Sequence, residues 1–181
     1  MDLKEAKQIL NKNGYLLEGN YDNEPITVDY IDQNNYDNYI GKIVNVKGDV
    51  DLSLLKLTEL PIKFDTVGGI FDCHNNKLTT LEGSPKVVGG DFNCYDNKLT
   101  TLKGAPIKVG GEFKCNYNEL TTLEGSPKVV GDGFDCSYNK LTSLEGAPEK
   151  VGGYFSCHYN KAQFTEDDVL DVSNVEGEIW A

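Results

Sequence analysis

Five cysteines are the first residues that could do chemistry. Cys73, Cys94, Cys115, Cys136 and Cys157 stand 21 residues apart, and His74 and His158 directly follow the first and last of them. Thiolates and imidazoles that converge can hold zinc or supply an activated nucleophile. The spacing argues against both. Neighbours along a strand point to opposite faces, so a Cys-His pair in sequence does not converge. The two histidines lie four repeats apart, about 19 Å at ~4.8 Å per parallel strand, too far for a shared metal. The five thiols therefore read as one inward slot repeated: small buried hydrophobes, reduced and metal-free, as suits a reducing compartment. The glycines recur with the same period and form no phosphate-binding loop. No catalytic constellation appears, so the sequence points to a chain that is not an enzyme and needs no cofactor.

The element that positions these residues is a repeat. Between Val67 and Asn160 the run V-G-G-x-F-x-C-x-x-N occurs five times, with one variation at Gly131-Asp132-Gly133, and after each of the first four it continues x-L-T-x-L-x-G-x-P. A short fixed period of this kind means a solenoid. Phe113, Cys115 and Leu120 mark the inward positions of one copy, and the alternation across Phe-x-Cys is a strand signal. Asn76, Asn97, Asn118, Asn139 and Asn160 each follow a cysteine by three. An amide offers two donors and an acceptor, so this column is expected to satisfy backbone groups where each coil leaves its strand. Gly and Pro after the leucines favour a thin outer turn with no helix. Val-Gly-Gly before the strand suits a corner where backbones approach closely.

The spacing F-x-C-x-x-N-x-L resembles the centre of the leucine-rich repeat, with Phe and Cys in aliphatic slots. The wording N-K-L-T-T-L-E-G-S-P-K-V-V-G-G is more closely similar to repeat proteins encoded by tailed bacteriophages. The resemblance covers roughly residues 46–181. It implies a right-handed coil with a parallel β-sheet, and a binding scaffold whose partner would be a host defence or metabolic protein.

The domain plan follows from the repeat. Residues 1–45 form an N-terminal α/β cap, with a helix over 2–12, a brief strand at Tyr15-Leu16-Leu17, and an irregular stretch over 18–43. That stretch suits a cap, a loop or a partner-binding insertion. Residues 46–66 are a degenerate first repeat, in which Val50, Leu52 and Leu55 replace Phe, Cys and Asn. Residues 67–160 carry the five regular repeats. Residues 161–181 form a helix-plus-strand capping repeat: Thr165 caps a short helix, and Val175 to Ala181 echoes V-G-G-Y-F-S-C with a three-residue shift.

The outward columns are the candidate binding surface. Before the Phe stand Ile70, Asp91, Glu112, Gly133 and Tyr154; between Phe and Cys stand Asp72, Asn93, Lys114, Asp135 and Ser156. After the Cys come His74, Tyr95, Asn116, Ser137 and His158, then Asn75, Asp96, Tyr117, Tyr138 and Tyr159. These columns vary while the inward ones do not. Tyr117, Tyr138 and Tyr159 share one column, with Tyr95 and Tyr154 nearby. Exposed aromatics of this kind are a hot-spot composition, and they equally suit a stacking ladder at the strand ends. Glu112, Lys114, Tyr95, Tyr117, Tyr138, Tyr154 and Tyr159 are the candidate protein-binding residues.

Composition narrows the partners. The net charge is −12, and it sits at the ends: −5 over residues 1–66, −2 over 67–160 and −5 over 161–181. No basic stripe stands out, so nucleic acid is not the expected partner. No run reaches the ~20 apolar residues of a membrane span, and the N-terminus lacks the apolar core of a signal peptide. The expectation is a cytoplasmic protein-binding module. The alternatives are a structural or assembly part that uses the solenoid as spacer or oligomerisation surface, and an acidic mimic of nucleic acid.

Overall fold

The computed structural model describes residues 24–181. The expected 2–12 helix and the strand at Tyr15-Leu16-Leu17 lie outside the described residues. What is described is a parallel β-solenoid with two sheets. Fifteen short strands, numbered β1 to β15 in chain order, fall alternately into the two sheets for most of the length.

The phenylalanine sheet is the expected one. It holds β3 (Val50–Asp51), β5 (Phe71–Asp72), β7 (Phe92–Asn93), β9 (Phe113–Lys114), β11 (Phe134–Asp135), β13 (Phe155–Ser156) and β15 (Ile179–Trp180), all parallel. The second sheet was not expected. The residues just before each Gly-Gly pair form β6 (Val87–Val88), β8 (Lys108–Val109), β10 (Val129–Val130) and β12 (Lys150–Val151). These stack with β1 (Ile26–Val28), β2 (Ile43–Val46), β4 (Lys63–Val67) and β14 (Asn174–Val175). One residue of each regular pair faces in: Val88, Val109, Val130 and Val151 are buried. Each regular coil offers this sheet a single inward valine followed by glycine, with no second apolar residue two places on as in Phe-x-Cys, which is why sequence periodicity missed the valine sheet.

The Gly-Gly corner joins the sheets. A Cβ on Gly110 would stand 2.1 Å from the carbonyl oxygen of Gly89, and one on Gly131 would stand 2.0 Å from that of Gly110. Only glycine lets successive coils close to sheet spacing there. Inside, Phe71, Phe92, Phe113, Phe134 and Phe155 are fully buried. Their ring centroids stand 5.1 Å apart for Phe71–Phe92 and 5.2 Å for Phe92–Phe113. Each such burial contributes roughly 1.5–3 kcal/mol, so the column holds the stack together.

The ends differ in legibility. Val50 pairs with Phe71 and Val46 with Val67, the register expected of the degenerate repeat. The stretch read as irregular is partly solenoid. Strand β1 pairs with β2, and Ile31 bridges to Val50. A 3-10 turn over Tyr36–Tyr39 interrupts the period between them and hides the extra coil from the sequence. At the other end helix α1 (Glu166–Leu170) starts at Thr165, whose side chain forms a capping box with Asp168. Phe155 then pairs with Ile179, a step of 24 residues that absorbs the three-residue shift.

Candidate functional site

Each coil leaves the phenylalanine sheet through one corner. The residue two beyond the cysteine adopts a left-handed backbone: φ is 61° at Leu54, 53° at Asn75 and Asp96, 52° at Tyr117 and Tyr138, and 54° at Tyr159. Asn and Asp tolerate this conformation through their short polar side chains. Tyrosine does not, and the strain is about 1–2 kcal/mol per residue.

The asparagine that follows locks the corner. Asn118 accepts from the Leu99 N–H at 3.0 Å and donates to the carbonyls of Cys94 at 3.0 Å and Cys115 at 3.2 Å. Asn97 and Asn139 make the same bonds one coil away, to Leu78 and Leu120 and to Cys73, Cys94, Cys115 and Cys136. Asn76 and Asn160 repeat the pattern at the two ends of the column. Each amide reaches back to the preceding coil, and the degenerate coil, which carries Leu55 at this position, lacks this link to the coil before it.

Outside this lock the tyrosines stack. Ring centroids stand 4.4 Å apart for Tyr117–Tyr138 and 4.6 Å for Tyr138–Tyr159, with interplanar angles of 11° and 24°. Burial, and then the flanking phenols, raises the Tyr138 phenol above its ordinary value. The three residues remain 51%, 38% and 68% exposed, so stacking does not hide them. Both sequence readings, ladder and exposed aromatic row, therefore describe the same side chains. His158 lies edge-on to Tyr138 and Tyr159, and a surface cleft of about 700 Å³ beyond Tyr159 is lined by His158, Phe164 and Trp180.

The remaining candidates lie apart from this corner and are engaged with one another. Lys114 pairs with Glu112. Tyr154 crosses the slot left by Gly133, whose Cβ would fall 2.2 Å from the Tyr154 ring, and it stacks on Trp180 at 4.6 Å. That slot explains the broken Gly-Gly pair. Burial and the neighbouring carboxylates, Glu112 first, push the Tyr154 phenol well up. Tyr95 stacks on His74 at 4.5 Å, and His74 Nδ1 lies 2.6 Å from Asp72 Oδ1. The same two-residue pairing recurs at Asp51–Ser53 and Asp135–Ser137. An i, i+2 spacing of Asp with Ser or His was visible in the sequence and would have shown that this sheet face partners itself.

The cysteine column lies inside the coil. Cys73, Cys94, Cys115, Cys136 and Cys157 are free and buried. Burial pushes the Cys73, Cys115 and Cys136 thiols well up, and the Cys157 thiol up to about 12. Among the described residues no three His, Cys, Asp or Glu side chains group as metal ligands. No helix among them is long and apolar enough to cross a membrane.

One feature corrects the sequence reading of charge. Two residues past the left-handed position stand Lys56, Lys77, Lys98, Glu119, Lys140 and Lys161, one per coil and exposed except for the half-buried Glu119. This is a single-file basic edge along the tyrosine corner. It escaped a count by segment because acids elsewhere in each repeat cancel it. No family model, no curated protein and no solved structure matches the chain.

Proposed function

We propose that this chain is a non-enzymatic protein-binding module that contacts its partner through the corner formed by Tyr117, Tyr138 and Tyr159. The observation that carries the proposal is the backbone. At the same position Asn75 and Asp96 serve the fold without strain, whereas the next three coils carry tyrosine in the left-handed region and leave it exposed. Strain kept at exposed positions points to function, and tyrosine is a hot-spot residue. The sheet face is a weaker choice, because Glu112, Lys114, Tyr154, Asp72 and His74 already satisfy one another.

The repeat wording supports a finer reading, a short leucine-rich repeat protein of the tailed-bacteriophage type. On that reading the partner is a host defence or metabolic protein, bound and sequestered in the host cytoplasm. The test is capture from lysate of the producing cell, followed by reconstitution with the purified captured protein. Tyr138→Asn is expected to weaken that defined complex by at least about 2 kcal/mol. Glu112→Gln is expected to leave it intact. Equal binding by the Tyr138→Asn variant removes the corner as the site.

A further inference from the structure

We infer that the partner segment seated on this corner is acidic: an extended peptide whose carboxylates meet the lysine file beside the tyrosines. The inference rests on the tyrosine corner being the contact site and adds the chemistry of what it contacts. The carrying observation is where unneutralised positive charge lies. Seven of the fourteen described lysines are paired to acids, among them Lys86 with Asp65, Lys103 with Glu124, Lys128 with Glu149 and Lys150 with Glu176. In the corner file only Lys140 is paired, with Glu119 at 3.0 Å. Lys56, Lys77 and Lys161 have no ion-pair partner among the described residues, and Lys98 makes no direct pair but lies near enough to Glu119 for its charge to be felt there. Outside the file only Lys42, Lys63 and Lys108 lack a pair among the described residues. Elsewhere six of the nine described lysines are paired, whereas along this edge one of five is.

The geometry suits a strand-like ligand. Lys56 to Lys161 spans five coils, about 24 Å at ~4.8 Å per coil, which matches about seven extended residues. Alternate side chains of such a peptide face the edge about 7 Å apart, a spacing that flexible lysine stems can follow. Lysine ammonium and tyrosine hydroxyl both donate to carboxylate oxygen. Single-stranded nucleic acid is the other polyanion with this footprint. It needs a run of aromatic faces for successive bases, whereas this stack leaves only the outer faces of Tyr117 and Tyr159 open, the inner faces covering one another at 4.4 and 4.6 Å.

The test uses defined probes on the full chain: a fluorescein-labelled peptide of four Glu-Ser pairs, the matching Lys-Ser peptide, and an oligothymidylate of similar length, each followed by fluorescence anisotropy. The acidic peptide is expected to bind at low ionic strength, to be released by about 0.5 M salt, and to bind more tightly than either control. Lys77→Glu with Lys98→Glu is expected to weaken it about tenfold or more, since each reversal replaces attraction with repulsion. Absence of binding by the acidic peptide, equal binding by the lysine variant, or tighter binding of the oligothymidylate each overturns the inference. The corner reading fails separately. It is overturned when Tyr138→Asn leaves the reconstituted protein complex unchanged, whereas unchanged affinity of that complex in the lysine variant overturns only the acidic ligand.

Discussion

Replacing Asn118 by alanine isolates the force that holds the coils in register. Asn118 is 8% exposed, and its side chain serves the Leu99 N–H and the carbonyls of Cys94 and Cys115. A third acceptor, the Asn116 carbonyl, also receives the Asp96 N–H and stays paired after the change. The Cys94 carbonyl keeps Asn97 and the Cys115 carbonyl keeps Asn139, so one buried group, the Leu99 N–H, is left with no partner. At roughly 1–3 kcal/mol for an orphaned group the loss is about 2 kcal/mol. Water cannot easily repair it, because neighbouring coils close both sides. Asn160 makes the equivalent bonds in a part-buried setting at the end of the column, so Asn160→Ala is expected to cost clearly less. For a chain of this size about 2 kcal/mol corresponds to a Tm drop of roughly 4–8 °C. Thermal and urea melts of both variants beside the parent provide the assay. An Asn118→Ala melt that overlays the parent, or one no worse than Asn160→Ala, refutes the ladder as a source of stability.

Further outcomes follow from the same geometry. Burial holds the cysteine thiols protonated above their ordinary value of 9.0, and a raised acid of this kind stabilises fully below the unfolded value. Its contribution is lost as pH rises past about 9, at ~1.4 kcal/mol per pH unit per thiol. Urea midpoints should therefore fall from pH 8 toward pH 11, less steeply in Cys115→Ala, and equal slopes would count against buried thiols. Native protein should react slowly with a thiol reagent and fully once unfolded; rapid native labelling of several cysteines would contradict that burial. Gly110→Ala should destabilise by about 3 kcal/mol or more in a urea melt, because its Cβ would lie 2.1 Å from backbone that cannot move aside. Gly133→Ala should cost less, because the obstacle is the Tyr154 side chain, which can swing out and lose its place beside Glu112.

The repeat made the phenylalanine sheet, its register and the inward Asn and Cys columns legible, because one slot repeated five times averages out local ambiguity. Thr165 and the shifted final strand were legible for a similar reason: caps and registers leave residues at fixed offsets. The valine sheet was not, since each regular coil gives it one inward valine and then glycine, with no apolar partner two places on. Strand β1 was hidden because the Tyr36–Tyr39 turn shifts the offset between paired strands. At the site, the tyrosine column could be read from spacing alone. Its left-handed backbone could have been suspected from Asn75 and Asp96 in the same column, which are the residues that conformation favours. The self-pairing of Glu112 with Lys114, and the reach of Tyr154 across Gly133, depend on side-chain directions that a linear pattern does not encode.

The claim that the tyrosines are kept for contact rather than for the fold has one direct test, the urea unfolding midpoint of the triple variant Tyr117→Asn, Tyr138→Asn, Tyr159→Asn. Stacking contributes about 0.5–1.5 kcal/mol per pair, and the left-handed strain it offsets is about 1–2 kcal/mol per residue. Two stacked pairs give about 1–3 kcal/mol and three strained residues about 3–6 kcal/mol, so the strain is the larger, and asparagine suits the backbone better. The triple variant should therefore unfold at or above the midpoint of the parent. A loss of several kcal/mol would mean that the stacked rings hold the corner together, and the argument for a binding site built from them would fail.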